Sequence, residues 1–321
     1  MIYSDNAIKI LAALQYKGIG TAWIINNWST NITDEQVVLL LNKTGKSIVT
    51  SREEFISIKN KVENKICSYS EIDGIVGYGD FNFPHCRGFV KPSEYPVILF
   101  YRGNIALLQQ SNNNVAVIGV LKPEQNIIER EKRMVDQLVK HNYTILSGLA
   151  LGCDSVAHQQ ALRSSGQTIA VLPSPIMNII PTQNKELAEQ IVKNGGLLIT
   201  EYHEEVNSFA QLRGRYDKRD RLQAMFSDAI VLTASYDINE NGNDCGSRLA
   251  MDYARKYQIP RYVMYNENTD ATNPQFDLNR RILKEGNSQI ITMQKIANLI
   301  SPCQGQTHIH RKSTIQLDLF E

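Results

Sequence analysis

From residue 115 onward, short apolar runs rich in β-branched residues alternate with longer stretches whose apolar positions recur every three or four residues. The runs cover residues 115–118, 144–146, 168–172, 197–200, 229–233 and 261–264. The periodic stretches between them cover 127–141, 154–164, 184–194, 217–226 and 247–257; in the first, Ile127, Glu131, Met134, Val135 and Leu138 share one face. Runs that are apolar throughout suit strands covered on both faces, and helices of this length are the connections parallel strands require. The pattern therefore predicts an α/β fold: a parallel sheet with helices on both faces. Ligands on such sheets sit beyond the carboxyl ends of the strands. The loops after residues 118, 146, 172, 200 and 233 are accordingly expected around one crevice.

Residues 1–75 predict a small helical domain. Ile8, Ile10, Leu11 and Leu14 fall on one face, and Gly18-Ile19-Gly20 turns the chain toward Trp23 and Trp28. Such a turn fits a helix-hairpin-helix device or a plain αα turn, and the absence of a following lysine cluster favours the latter. Residues 76–114 read as a connector leading into the sheet, its first part rich in Gly and Pro, and 115–300 as the sheet domain. Closing helices are expected at 275–284 and 293–300 around a short strand at 289–291. Residues 301–321 read as a flexible tail.

Composition narrows the picture. With 321 residues, 42% hydrophobic and 21% charged, the chain has room for one large α/β domain and something smaller. No apolar run reaches membrane-span length and residues 1–20 carry no signal-peptide pattern, so a cytoplasmic location is expected. Cys67, Cys86, Cys153, Cys245 and Cys303 lack paired spacing, which argues against a zinc site or a disulfide framework. A net charge of +1 confines any nucleic-acid surface to a local patch. No metal or cofactor is expected.

The most informative stretch is S-G-L-A-L-G-C-D-S-V-A-H, residues 147–158. It reads as strand, glycine turn, then helix. Beside Ser147, the two glycines Gly148 and Gly152 let backbone approach a ligand, Asp154 or Ser155 starts the helix, and the helix N-terminus offers N–H groups to an anion. Upstream stand Y-P-V-I-L-F-Y-R-G-N (95–104) and V-A-V-I-G ending at Gly119; downstream come G-Q-T-I-A-V-L (166–172), T-E-Y (200–202) and Arg219-Asp220-Arg221. In this order the blocks resemble the DNA-processing protein A (DprA/Smf) family over roughly residues 5–265. The resemblance implies an extended Rossmann-like domain, an N-terminal domain of sterile-alpha-motif type, and a non-catalytic protein that binds single-stranded DNA in a basic pocket. It further implies a homodimer that delivers DNA to a RecA-type recombinase. Many members end in a winged helix, for which this chain leaves no room.

The strongest basic cluster spans residues 213–221. Arg213, Arg215, Lys218, Arg219 and Arg221 suit phosphate contact, and Tyr216 suits base stacking. The alternative is a solvated helix start whose arginines pair with Asp217 and Asp220. Gly246-Ser247-Arg248 opens another helix and offers either a further anion site or a simple cap. Departures from the family stand at Val120-Leu121, where it has Ser-Arg and only Lys122 lies nearby. Others stand at Leu151 for an arginine, Gln167 for a basic residue, and Pro173-Ser174-Pro175 for a glycine loop. They imply weaker phosphate binding and a retuned crevice. His158, one helical turn from Asp154, invites a general-base role, but no nucleophile accompanies it.

Near the end, Gln316, Leu317, Asp318, Leu319 and Phe320 spell the pentapeptide with which bacterial proteins dock on the replication sliding clamp. An extended anchor would seat Leu317, Leu319 and Phe320 in apolar pockets; a short strand tucked onto the domain is the alternative. Three functions follow: single-stranded DNA binding in DNA processing, recombination or anti-phage defence; neutralisation of a cognate toxin, a role known for divergent relatives; and, least supported, a nucleotide sensor or hydrolase.

Overall fold

The computed structural model describes residues 1–45, 49–238 and 246–299. The chain opens with β1 (Ile2–Tyr3), α1 (Asp5–Ala13), α2 (Thr21–Asn27), α3 (Asp34–Thr44) and α4 (Arg52–Cys67). Next come β2 (Gly74–Gly77), β3 (Ile98–Gly103), β4 (Asn114–Ile118), α5 (Gln125–Lys140), β5 (Thr144–Ser147), α6 (Cys153–Arg163), β6 (Thr168–Val171), α7 (Lys185–Lys193) and β7 (Leu197–Thr200). The remainder comprises α8 (Phe209–Met225), β8 (Ala229–Leu232), α9 (Ser247–Tyr257), β9 (Arg261–Val263), α10 (Glu267–Asp270), α11 (Asp277–Lys284), β10 (Gln289–Ile290) and α12 (Met293–Ile296).

Among the described residues the strands form one sheet of ten, in the order β1-β2-β3-β7-β6-β5-β4-β8-β9-β10. All neighbours are parallel except β2–β3 and β3–β7. Successive strand residues enter different cores. Leu99 and Tyr101 of β3, Ile169 and Val171 of β6, and Leu197 and Ile199 of β7 join one cluster, with α5, α6 and α9. Ile98, Phe100, Ala170 and Leu198 join another, with α1 and α7. The two-residue alternation of a strand thus produces the covered faces that the unbroken apolar runs imply.

Helices α1 to α4 share a core of their own, built from Ile10, Ile24, Val37, Leu41 and Phe55. Ser4, Thr33 and Ser51 cap α1, α3 and α4 through side-chain oxygens. This region also reaches the sheet: β1 is its edge strand, and Ile8 and Leu11 of α1 pack on the second core with Ile75. The segment read as a connector carries β3, which extends the sheet antiparallel to β7, and the end of β2, which pairs antiparallel with β3. No helix among the described residues is long and apolar enough to cross a membrane.

The order reverses between β4 and β8, the first two strands of the two winding directions, so the switch point lies between them. Loops 119–124 and 148–152 and the amino end of α9 therefore meet at the carboxyl edge, called the crest below.

Candidate nucleic-acid interface

The glycine turn at the crest is held by its own chain. Asp154 lies inside the first turn of α6, and Gly152, with no side-chain cap, precedes the helix. Neither Asp154 nor Ser155 is the cap the sequence suggested. The Asp154 carboxylate instead turns back and accepts from Gly148 N (3.1 Å) and Ala150 N (3.3 Å). Ser155 Oγ donates to Ala150 O (2.6 Å), and Asn184 Nδ2 donates to Leu149 O (2.8 Å), Ala150 O (3.2 Å) and Ser155 Oγ (2.8 Å). Two amides of the glycine turn are therefore occupied by an internal carboxylate. Ser147 is buried, and its hydroxyl donates to Val117 O (2.7 Å).

Beneath the turn lies a buried charge cluster. Arg219, only 6% exposed, reaches Asp154 (3.4 Å) and Asp220 (3.2 Å) and lies over the Tyr216 ring at 5.4 Å. A Cβ on Gly148 would collide with this guanidinium, so the turn needs glycine there. With the Gln223 amide oriented to satisfy both ends, its oxygen accepts from Gly148 N (2.8 Å) and Arg219 (3.2 Å), and its nitrogen donates to Asp220 Oδ1 (3.1 Å). Asp220 Oδ2 finds no partner among the described residues and sits 2.7 Å from the Cβ position of Gly246, at the start of α9. Ser247 Oγ donates to Gly119 O (3.1 Å). Gly119, Gly148, Gly246 and Arg219 thus converge on one place.

Burial raises the Asp220 carboxyl to about 7; Arg219 opposes that rise and Asp154 adds to it. Burial also raises Asp154, against the pull of Arg219 and of the backbone amides. For Arg219 burial disfavours the cation, but the two carboxylates outweigh it and its pKa rises. The guanidinium read as a phosphate contact is therefore turned inward and neutralised, the pairing with Asp220 that the alternative reading allowed.

Helix α8 divides its basic residues. It starts at Phe209, eight residues before the sequence reading placed it, with Ser208 capping Gln211 N. Arg215 is buried, donates to Glu204 O (2.7 Å) and Glu205 O (3.3 Å), and stacks on Tyr202 at 4.2 Å. Arg221 donates to Glu201 (2.8 Å), and Arg248 to Asp252 (3.3 Å). Arg213 and Lys218 are exposed on the same helix, as is Lys122 after β4; none makes an ion pair among the described residues. Those three are the open cations of the predicted set.

His158 is fully buried, its Nδ1 bonded to Thr168 Oγ1 (2.7 Å), and burial lowers its pKa to about 3. It is a neutral core residue, and the Arg219 charge adds to the effect of burial in keeping it so. Glu131 is buried beside Cys153 and Thr233, and burial holds its carboxyl well above the usual range. Residues missed in the sequence include Asn184 and Gln223, which lock the turn; both lie far from it in sequence. Gln316, Leu317, Asp318, Leu319 and Phe320 lie outside the described residues, as does Cys245.

A doubly wound parallel sheet with a glycine turn at its switch point and a buried charge cluster beneath that turn places the chain among the Rossmann-like α/β proteins. A profile of the family described as DNA recombination-mediator protein A matches residues 74–301, and the chain belongs to that family. It is similar to protein Smf of Borreliella burgdorferi, 34% identical over 139 residues, which is 43% of this chain and 42% of that one. To protein Smf of Escherichia coli it is 26% identical over 220 residues, 68% of this chain and 56% of the other. The chain thus spans about half the length of the curated relatives it matches. The structure of DNA processing protein A from Streptococcus pneumoniae shares the fold at a TM-score of 0.69 and 20% identity, covering 96% of this chain and all of that one. That of Helicobacter pylori DNA processing protein A, characterised for a unique single-stranded DNA binding mode, matches at a TM-score of 0.57 and 26% identity, covering 70% and 95%.

Proposed function

We infer that this protein binds single-stranded DNA at the crest and acts by holding the strand, not by bond chemistry, in the manner of a recombination mediator. The observation that carries the reading is that Lys122, on a crest loop, and Arg213 and Lys218, on the helix that sends Arg219 under the crest, are exposed in a chain 26% identical to a single-stranded-DNA-binding relative. Phosphates meet these outer cations, while Arg219 and Asp154 hold the crest in shape. Three such contacts give a log Kd against log salt slope of roughly 2 for a single strand, shallower than a basic pocket would show. Fluorescence anisotropy with a labelled strand tests this: Arg213→Ala and Lys218→Ala should each weaken binding and flatten the slope by about 0.7. Unchanged affinity and slope in both variants would remove the reading.

Partners follow from the same reading: a second copy of the chain, and a RecA-type recombinase as recipient of the strand. The motif formed by Gln316, Leu317, Asp318, Leu319 and Phe320 favours a further partner, the replication sliding clamp. Pull-down with and without residues 316–320 tests it, and equal recovery would refute it. The alternative function, neutralising a toxin, is favoured by the uncharged positions Leu121, Leu151 and Gln167. It requires a toxin gene beside this one and toxicity when this protein is removed.

A further inference from the structure

Two large apolar side chains stand open at the crest. Leu121 is 56% exposed and Leu151 is 40% exposed, on loops that follow β4 and β5. These loops touch. Gly152 has φ of +76°, and a Cβ there would run into the backbone of Val120 and Leu121. Cys153 N donates to Val120 O (3.0 Å), Val120 N to Ala234 O (2.9 Å), and Gln275 Nε2 to Lys122 O (3.1 Å). Both leucines are thus presented on anchored backbone, and single exposed leucines on mobile loops would mean nothing. Beside them Lys122 is exposed, and the amino end of α6 adds a positive dipole.

An apolar pair flanked by positive charge complements one chemistry in particular: a polymer whose apolar faces alternate with anionic links. We propose that Leu121 and Leu151 form a platform for the bases of the bound strand, with Lys122 taking the neighbouring phosphate. This rests on the single-strand reading above and goes beyond it, because it makes base contact, not charge, the larger share of affinity at the mouth of the crest. The salt dependence of binding is then shallow and abasic strands bind poorly.

The test compares an oligothymidylate with an abasic strand of equal length, titrated into the intact chain at several salt concentrations. Wild-type protein should bind the abasic strand at least several-fold more weakly. Leu121→Ser and Leu151→Ser should each lower affinity for oligothymidylate by about five-fold with the salt slope unchanged, from the apolar area no longer covered. They should leave abasic binding unaltered. Leu121→Arg and Leu151→Arg should steepen the slope by about 0.7 each. Both positions are open to solvent, so these variants keep the fold, and thermal midpoints check that. Equal affinity for the two strands, or serine variants that bind as tightly as wild type, overturns the platform and leaves single-strand binding standing. No binding to either strand overturns both.

Discussion

Replacing Asp220 by asparagine removes one negative charge from beneath the crest while keeping the shape of the side chain. The amide oxygen preserves the contact to Arg219. With both carboxylates ionised, Asp154 and Asp220 outnumber the single cation between them; with Asp220 protonated the cluster is neutral. Asp220 ionises at about 7 in the folded chain against an ordinary 3.8, because burial disfavours its charge. The folded state therefore binds this proton more tightly than the unfolded state does. The associated stability is fully present below about pH 4 and is lost as pH rises through 7. From pH 6 to pH 8 the loss is about 1.4 kcal/mol, which for a chain of this size lowers Tm by roughly 2 °C. Asp220→Asn should lack this component, so the fall in Tm from pH 6 to pH 8 shrinks by that amount relative to wild type. His158, neutral in the folded chain but ionising near 6.5 once unfolded, works in the opposite sense and adds about 0.8 kcal/mol of stability from pH 6 to pH 8. It does so in wild type and variant alike and cancels from their comparison. The variant should also bind single strands more tightly at pH 8. One unit charge about 10 Å from a phosphate at an effective dielectric constant near 30 contributes about 1 kcal/mol, or roughly five-fold. Scanning calorimetry at the two pH values and anisotropy at pH 8 read both effects. A variant whose Tm falls between the two pH values as far as wild type, or whose affinity at pH 8 is not raised, would refute the assignment of a titrating charge to this site.

Other substitutions probe the scaffold. Arg219→Ala strands two buried carboxylates and should cost on the order of 3 to 5 kcal/mol, read as a lower urea midpoint; an unchanged midpoint contradicts the cluster as described. Gly148→Ala drives a methyl into the Arg219 guanidinium and should destabilise by about 1 to 3 kcal/mol, whereas Gly214→Ala, with open space around its Cβ, should not. The His158 ring should show no NMR titration between pH 5 and pH 8, and a midpoint near its ordinary value would contradict its burial.

Much of the sheet was legible because strand and helix periods are local properties. The helix at Ser247–Tyr257 has the bounds its pattern implies, and the apolar runs from residue 115 onward are strands within a residue or so. The antiparallel strand β3 was not read as part of the sheet because it follows a Gly- and Pro-rich stretch, and its pairing with β7 joins residues about a hundred positions apart. The early start of α8 went unread because its first turns are polar and Phe209 is exposed; the Ser208–Gln211 cap was the available signal. The inward turn of Arg219 was beyond reach for a physical reason. Its direction is set by Asp154 and Gly148, about 65 to 70 residues away, and a run of arginines looks the same whether it faces solvent or a buried carboxylate.

The most direct test of a crest that holds single strands is an anisotropy titration of the intact chain with single- and double-stranded DNA at low and moderate salt. Binding should be saturable, prefer the single strand, weaken modestly with salt, and fall when Arg213 and Lys218 are both replaced by alanine. Equal or stronger binding of the duplex, or single-strand binding that is untouched by the double replacement, would contradict a strand-holding crest.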